Sequence, residues 1–289
     1  MNRSSVCREL ELNQDDDNVY RGGSAHRTHL ARKKQAKQVQ RKIKGKLRTK
    51  VVRQLKRLWS PEQIAGRLKK KGDVLCHETV YQFVYQKRPD LVNCLRRQKN
   101  KYRKKRGSRA RIAFNRATKI RRIEERSRVV EHRTRIGDWE GDTLVGKEKT
   151  QRISTNVERK SGFGLADKLD VVTAEIVWHK TVDRFNKLPK KARRTLTRDN
   201  GPEFGDYDRD FEKDTGMKVY RATPYHSWER GTNENWNGLL RQFFPKGAYF
   251  ATITQSDVER AARLLNDRPR KRLGYATPRE VFRQCCNSH

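Results

Sequence analysis

The chain has 289 residues, with 70 Lys/Arg against 34 Asp/Glu, a formal net charge of +36 and a pI near 10.5. Such an excess implies a polyanionic partner, because neutralising phosphates releases condensed counterions and drives binding. No apolar run of about 18 residues exists to span a membrane, no apolar run follows the N-terminus to act as a secretory signal, and five irregularly spaced cysteines are not a disulfide framework.

The charge is uneven. Residues 1–128 carry 39 Lys/Arg and 11 Asp/Glu, whereas residues 129–289 carry 31 and 23. The first part is a polycation and the second an ordinary globular stretch. Residues 1–17 end in the acidic run Asp15-Asp16-Asp17, and residues 20–50 are polar and basic, with Ala31, Ala36, Val39 and Ile43 at loose helical spacing. Ser60-Pro61-Glu62-Gln63 then reads as a helix start, with Ser60 as cap, Pro61 at the first helical position and Gln63 closing a capping box. Ile64, Ala65 and Leu68 follow on one face and Gly72 ends the helix. A second helix is predicted over 76–85, with Val80, Phe83 and Val84 facing inward. Two helices joined by a glycine-containing turn form the helix-turn-helix pattern, over about 59–86 within a helical region spanning 21–95. Its second helix would meet DNA through His77, Thr79 and Gln82. Residues 96–111 hold ten Lys/Arg and no acid. They open a basic linker, 96–128, in which Arg103, Lys104, Lys105 and Arg106 are candidates for tracking phosphates.

From residue 136 the pattern changes to strands. Strands are predicted over 138–145, 153–159 and 163–169, the last two joined by the tight turn Lys160-Ser161-Gly162. A helix over 174–185, a strand over 194–198 ending at the turn Asp199-Asn200-Gly201, a helix over 208–215 and a strand over 217–222 complete a mixed α/β order. Strand ends are where α/β folds place chemistry. Asp142 lies on the first strand and Asp199 at the end of the fourth. In the amphipathic segment 233–243, Trp236, Leu239, Leu240 and Phe243 make an apolar stripe, while Glu234, Asn237, Gly238 and Arg241 make a polar one. Three carboxylates from distant segments suit hard divalent cations, which take oxygen ligands. Two such ions can activate an attacking oxygen and stabilise a leaving one, and Arg241 could hold a DNA phosphate beside them. Asp138, Glu140 and Asp142 all point to one face of their strand, so the pattern leaves the three tied.

At these residues the chain resembles the IS30 family of bacterial insertion-sequence transposases, within the DDE transposase and retroviral integrase superfamily. The likeness rests on Gly137-Asp138-Trp139-Glu140-Gly141-Asp142, on Asp199-Asn200-Gly201-Pro202-Glu203-Phe204, and on the block from Trp228-Glu229-Arg230-Gly231-Thr232-Asn233-Glu234-Asn235 through Lys246-Gly247. Trp59–Leu68 with His77–Tyr81 resembles the family's internal helix-turn-helix, and Asn266–Arg270 and Gly274-Tyr275-Ala276-Thr277-Pro278 also fit. The resemblance covers nearly the whole chain. It implies an RNase H-like, integrase-type α/β catalytic core over 129–289, preceded by an all-α helix-turn-helix region. It selects Asp142 over Asp138 and Glu140, names Asp142, Asp199 and Glu234 as catalytic and metal-holding, and matches Arg241 to a basic residue kept seven positions after the Glu. It also implies Mg²⁺ or Mn²⁺, two ions, and binding to terminal inverted repeats. Three departures stand out. The 34 residues between Asp199 and Glu234 are one more than the family's usual spacing. Cys76 replaces a Ser cap. Residues 1–20, with Ser4–Leu10, resemble the recognition helix of a first helix-turn-helix whose preceding helix is missing.

The resulting expectation is metal-dependent cleavage and strand transfer at the ends of an insertion sequence. The partners would be double-stranded DNA, at element ends and target, and further copies of the chain in a dimer or larger synaptic complex. The compartment would be the bacterial cytoplasm, close to the nucleoid. The alternatives are a catalytically silent DNA-binding repressor or truncated remnant, and a structure-selective nuclease on the same core, which would leave the helix-turn-helix unexplained.

Overall fold

A computed structural model describes residues 3–14, 17–39, 43–96, 121–148, 150–224 and 226–287. The first part is helical throughout. α1 (Arg3–Asn13) lies against α2 (Gly22–Val39), tied by Arg32 Nη1 donating to Asn13 Oδ1 at 2.8 Å. Val6, Leu10 and Leu12 of α1 are exposed, so this helix has little apolar burial to hold it. α3 (Gly45–Lys56), α4 (Pro61–Lys69) and α5 (His77–Gln82) instead converge on one core that includes Leu55, Ile64, Leu68 and Val80. The start of α4 follows the sequence signal closely. Ser60 Oγ accepts from Gln63 N at 3.2 Å, and Gln63 Oε1 accepts from Ser60 N at 2.9 Å. α5 is shorter than the predicted 76–85. Cys76 gives it no side-chain cap, and the backbone widens into a π-helical turn over Phe83–Lys87.

After the short α6 (Val129–His132) comes the sheet: β1 (Asp138–Val145), β2 (Arg152–Glu158), β3 (Gly164–Leu169), β4 (Thr195–Arg198) and β5 (Lys218–Arg221). Its order is β3-β2-β1-β4-β5. The first three strands are antiparallel neighbours, while β4 runs parallel to β1 and β5 parallel to β4. The β2–β3 turn needs a left-handed residue, and Gly162 supplies it at φ +72°. The buried Glu158 carboxylate closes that turn by accepting from Ser161 N at 2.7 Å and Lys160 N at 3.2 Å.

α7 (Ala174–Asn186), α8 (Asp208–Thr215), α9 (Gly231–Leu240), α10 (Gln255–Asn266) and α11 (Pro278–Asn287) cover both faces. Strand alternation sorts β1 between them. Trp139 packs with Phe185 of α7, Phe211 of α8 and Phe282 of α11. Leu144 points the other way, into a core with Trp236 and Leu240 of α9 and Leu265 of α10. Asp138, Glu140 and Asp142 share the parity of Leu144 and so face the α9 side. This mixed sheet with helices on both faces fits the expected RNase H-like core. Among the described residues no helix is long and apolar enough to cross a membrane.

Candidate active site

The three acids of β1 have different surroundings. Asp138 is buried, accepting from Arg135 at 2.9 and 3.1 Å and from Thr195 Oγ1 at 2.8 Å. Glu140 is buried too, ion-paired with Arg159 at 3.1 Å and accepting the Asn233 backbone N–H at 2.8 Å. Both are held by structural partners. The Asp142 side chain is 27% exposed, so of the three it alone opens to solvent.

Asp199 follows β4, the parallel neighbour of β1. The turn Asp199-Asn200-Gly201 closes on itself, because Asp199 Oδ1 accepts from Gly201 N at 3.1 Å, an Asx turn. Asn200 Nδ2 donates to Ala222 O at 2.8 Å, and Arg221 Nη1 donates to the Asp199 carbonyl at 2.8 Å. Just before it, Arg198 is fully buried with its guanidinium over the rings of Phe204 and Phe211, 5.1 and 4.7 Å from their centroids. Burial weakens its grip on its proton, to about 9. Glu203, from the same block, reaches back to β1, where Thr143 Oγ1 donates to it at 2.8 Å.

α9 is pinned over these acids by Asn233, which is fully buried. Its Nδ2 donates to Glu140 O at 2.7 Å and Thr155 O at 3.1 Å, and its Oδ1 accepts from Thr155 Oγ1 at 3.2 Å. One side chain thus stitches the first turn of α9 to both β1 and β2. Arg230, Glu234, Asn237 and Arg241 then fall on one face, three or four residues apart. Arg230 lies 3.6 Å from Asp142 Oδ1 and 3.3 Å from Asp199 Oδ2, so one guanidinium bridges the two carboxylates. Asn237 Nδ2 donates to Asp142 Oδ2 at 3.0 Å, and Arg241 Nη2 to Val145 O at 3.1 Å. Glu234 is exposed on that face, one turn from both Arg230 and Asn237. Among the described residues, no group of three or more His, Cys, Asp or Glu is gathered closely enough to hold a metal. On α5, His77 is exposed and Thr79 and Gln82 are half-buried. Arg103, Lys104, Lys105 and Arg106 lie outside the described residues.

The Asp142 carboxyl is pushed above the usual carboxylate range. Desolvation dominates and the charges of Asp199 and Glu203 add to it, opposed by Arg230 and the Thr143 N–H. Arg230 and Asn233 were not singled out in the sequence. Arg230 precedes the amphipathic stripe, and a fully buried asparagine next to an exposed glutamate has no periodic signature.

The comparisons agree with this picture. The chain is 36% identical over 293 residues to the transposase for insertion sequence element IS4351 of Bacteroides fragilis, covering 100% of this chain and 89% of that protein. It is 36% identical over 250 residues to transposase InsI for element IS30A of Escherichia coli K12, covering 82% of this chain and 64% of the relative. It is 32% identical over 299 residues to the transposase for element IS1086 of Cupriavidus metallidurans, covering 97% and 85%. No protein-family model matches. A mixed α/β core with such relatives defines a nucleic-acid-processing enzyme of the transposase class. The chain belongs to the IS30 family of insertion-sequence transposases, and its function is transposition.

Two outcomes follow from the site. Asn233→Ala strands the buried Glu140 and Thr155 carbonyls and is expected to lower stability by about 1–3 kcal/mol. The measurement is a lower urea midpoint at unchanged slope, and an unchanged midpoint would contradict the stitch. Because the fold raises the Asp142 pKa, the ionised acid opposes folding at neutral pH, and that opposition fades as pH falls through the raised pKa towards the unfolded value of about 3.9. Asp142→Asn should therefore melt above wild type at neutral pH without divalent ions, with the gap closing near about pH 4. Equal melting temperatures at neutral pH would contradict this.

Proposed function

We propose that the chain is a DDE-type enzyme that cleaves DNA at the terminal inverted repeats of its element and joins the freed 3′-OH to target DNA, using Asp142, Asp199 and Glu234. The observation that carries this reading is the convergence of Asp142 and Asp199, from parallel neighbouring strands, on the single guanidinium of Arg230. Two carboxylates aimed at one positive charge, each steadied through its other oxygen by Asn237 or Gly201, fit a hard divalent cation. Asp142 and Asp199 would hold Mg²⁺ or Mn²⁺, two ions in all, with Glu234 supplying the third carboxylate from the exposed face of α9. When bound, the ions supply activation of the attacking oxygen and charge stabilisation of the leaving one.

The remaining work belongs to the chain's own groups. The Thr143 N–H and Asn237 amide fix the Asp142 carboxylate, and the Asx turn fixes Asp199. Arg230 neutralises the pair, and with cations in its place it would be free to meet a backbone phosphate. Arg241 borders the same surface. DNA is held by the polycationic first part of the chain, with α4 and α5 acting as a helix-turn-helix that presents His77, Thr79 and Gln82, and with Arg103, Lys104, Lys105 and Arg106 following phosphates. Copies of the chain would self-associate to bring two element ends together.

The test is a cleavage and strand-transfer assay on duplexes bearing the element's own terminal repeats. Asp199→Asn and Glu234→Gln should each lower both products by more than about 100-fold, and chelation of divalent ions should abolish them until Mg²⁺ is restored. Variants that act like wild type would overturn the three-acid reading. Cleavage without any joined product would favour a nuclease.

A further inference from the structure

Two blocks that carry the family likeness, Trp59–Leu68 and Gly274–Pro278, touch each other. Gly66 lies inside α4, where alanine would be the better helix former. Its bare backbone faces the ring of Tyr275, and a Cβ built on Gly66 would lie 2.2 Å from Tyr275 Cε1. Tyr275 is itself held in the left-handed region, at φ +60°, straight after Gly274 at φ +58°. The loop that presents it is closed by Tyr275 N donating to Arg270 O at 2.9 Å and Arg270 N donating to Ala276 O at 3.0 Å.

Charged pairs flank the ring. Arg67 Nη1 donates to Tyr275 O at 3.1 Å and to Glu280 Oε2 at 3.0 Å, and its Nη2 pairs with Glu280 Oε1. Lys271 Nζ meets Glu62 Oε1 at 2.8 Å. Glu280 is already fixed, because its carboxylate accepts from Thr277 N at 2.9 Å while Thr277 Oγ1 accepts from Glu280 N at 3.1 Å, a box that starts α11. The surface of α4 used here, Glu62, Gly66 and Arg67, is not the one buried in its own core, Ile64 and Leu68. The exposed His77 of α5 remains open to solvent.

We infer that the segment from Lys271 to Glu280 is the seat for α4 of the same chain, and that it locks the DNA-reading helices to the catalytic core so that end recognition is coupled to cleavage. A ring filling a notch that only glycine leaves, a left-handed tyrosine that presents it and two matched ion pairs are independent features of one interface. The coupling part rests on the proposal that α4 and α5 read DNA.

The experiment uses the full chain. Hydrogen exchange is measured over α4 and residues 271–280, together with affinity for, and cleavage of, a duplex carrying the element's terminal repeat. Arg67→Glu and Glu280→Arg should each remove protection at both segments and lower cleavage of fully bound duplex about tenfold, and the double exchange should restore both. Gly66→Ala, which favours the helix but blocks the ring, should give the same loss without the charge change. Unaltered protection in all single variants would overturn the seat. Lost protection with undiminished cleavage would overturn the coupling. Restored cleavage on mixing the two charge variants would place α4 on a second copy, against the same-chain claim. If wild type fails to bind the duplex, the DNA-reading proposal falls, while the exchange data still decide the seat.

Discussion

The site depends on one buried side chain, Asn233. Its amide satisfies main-chain groups of β1 and β2 at once, and the adjacent N–H is taken by Glu140. A buried amide with every partner in place is rigid, because each bond lost would leave a polar group dry. That rigidity fixes the rotation of α9 about its axis. Once the rotation is fixed, Arg230, Glu234, Asn237 and Arg241 must point along the same edge as Asp142. The buried ion pair between Glu140 and Arg159 serves the same end from the sheet side.

The electrostatics of the edge are unbalanced by design of the fold. Asp199 and Glu203 add negative charge beside Asp142, while Arg230 bridges Asp142 and Asp199 and Arg152 pairs with Glu203. Arg198, though adjacent in sequence to Asp199, is turned into the interior between two aromatic rings. In a chain with a net charge of +36, this local concentration of negative charge runs against the overall balance. A polycation that gathers Asp142, Asp199 and Glu203 at one strand edge has the charge pattern the proposed phosphoryl chemistry on DNA would use.

Much of this was legible in the residues. The capping box at Ser60 and Gln63, the alternation of β1, the helix over 208–215 and the turn at Asp199-Asn200-Gly201 are local signals, and local chemistry decides them. The tie among Asp138, Glu140 and Asp142 was not breakable locally, because parity puts all three on one face. What separates them is the set of partners that hold Asp138 and Glu140, namely Arg135 from just upstream and Thr195 and Arg159 from elsewhere in the chain. The α-helical part of α5 ends early because the backbone widens into a π-helical turn from Phe83, a change with no local sequence signal. Arg230 was missed because its role exists only after β1, β4 and α9 have met. The contact between Gly66 and Tyr275 is equally non-local, and only the oddity of a glycine inside a helix hinted at it.

The central claim is that the place held by the Arg230 guanidinium is a cation site shared by Asp142 and Asp199. The most direct measurement is the anomalous scattering of Mn²⁺ in crystals of the full chain grown with the ion. The account predicts an Mn²⁺ peak bonded to both aspartates with Arg230 moved off them. An Arg230 that still bridges the pair at saturating Mn²⁺, with the ion bound elsewhere, would contradict it.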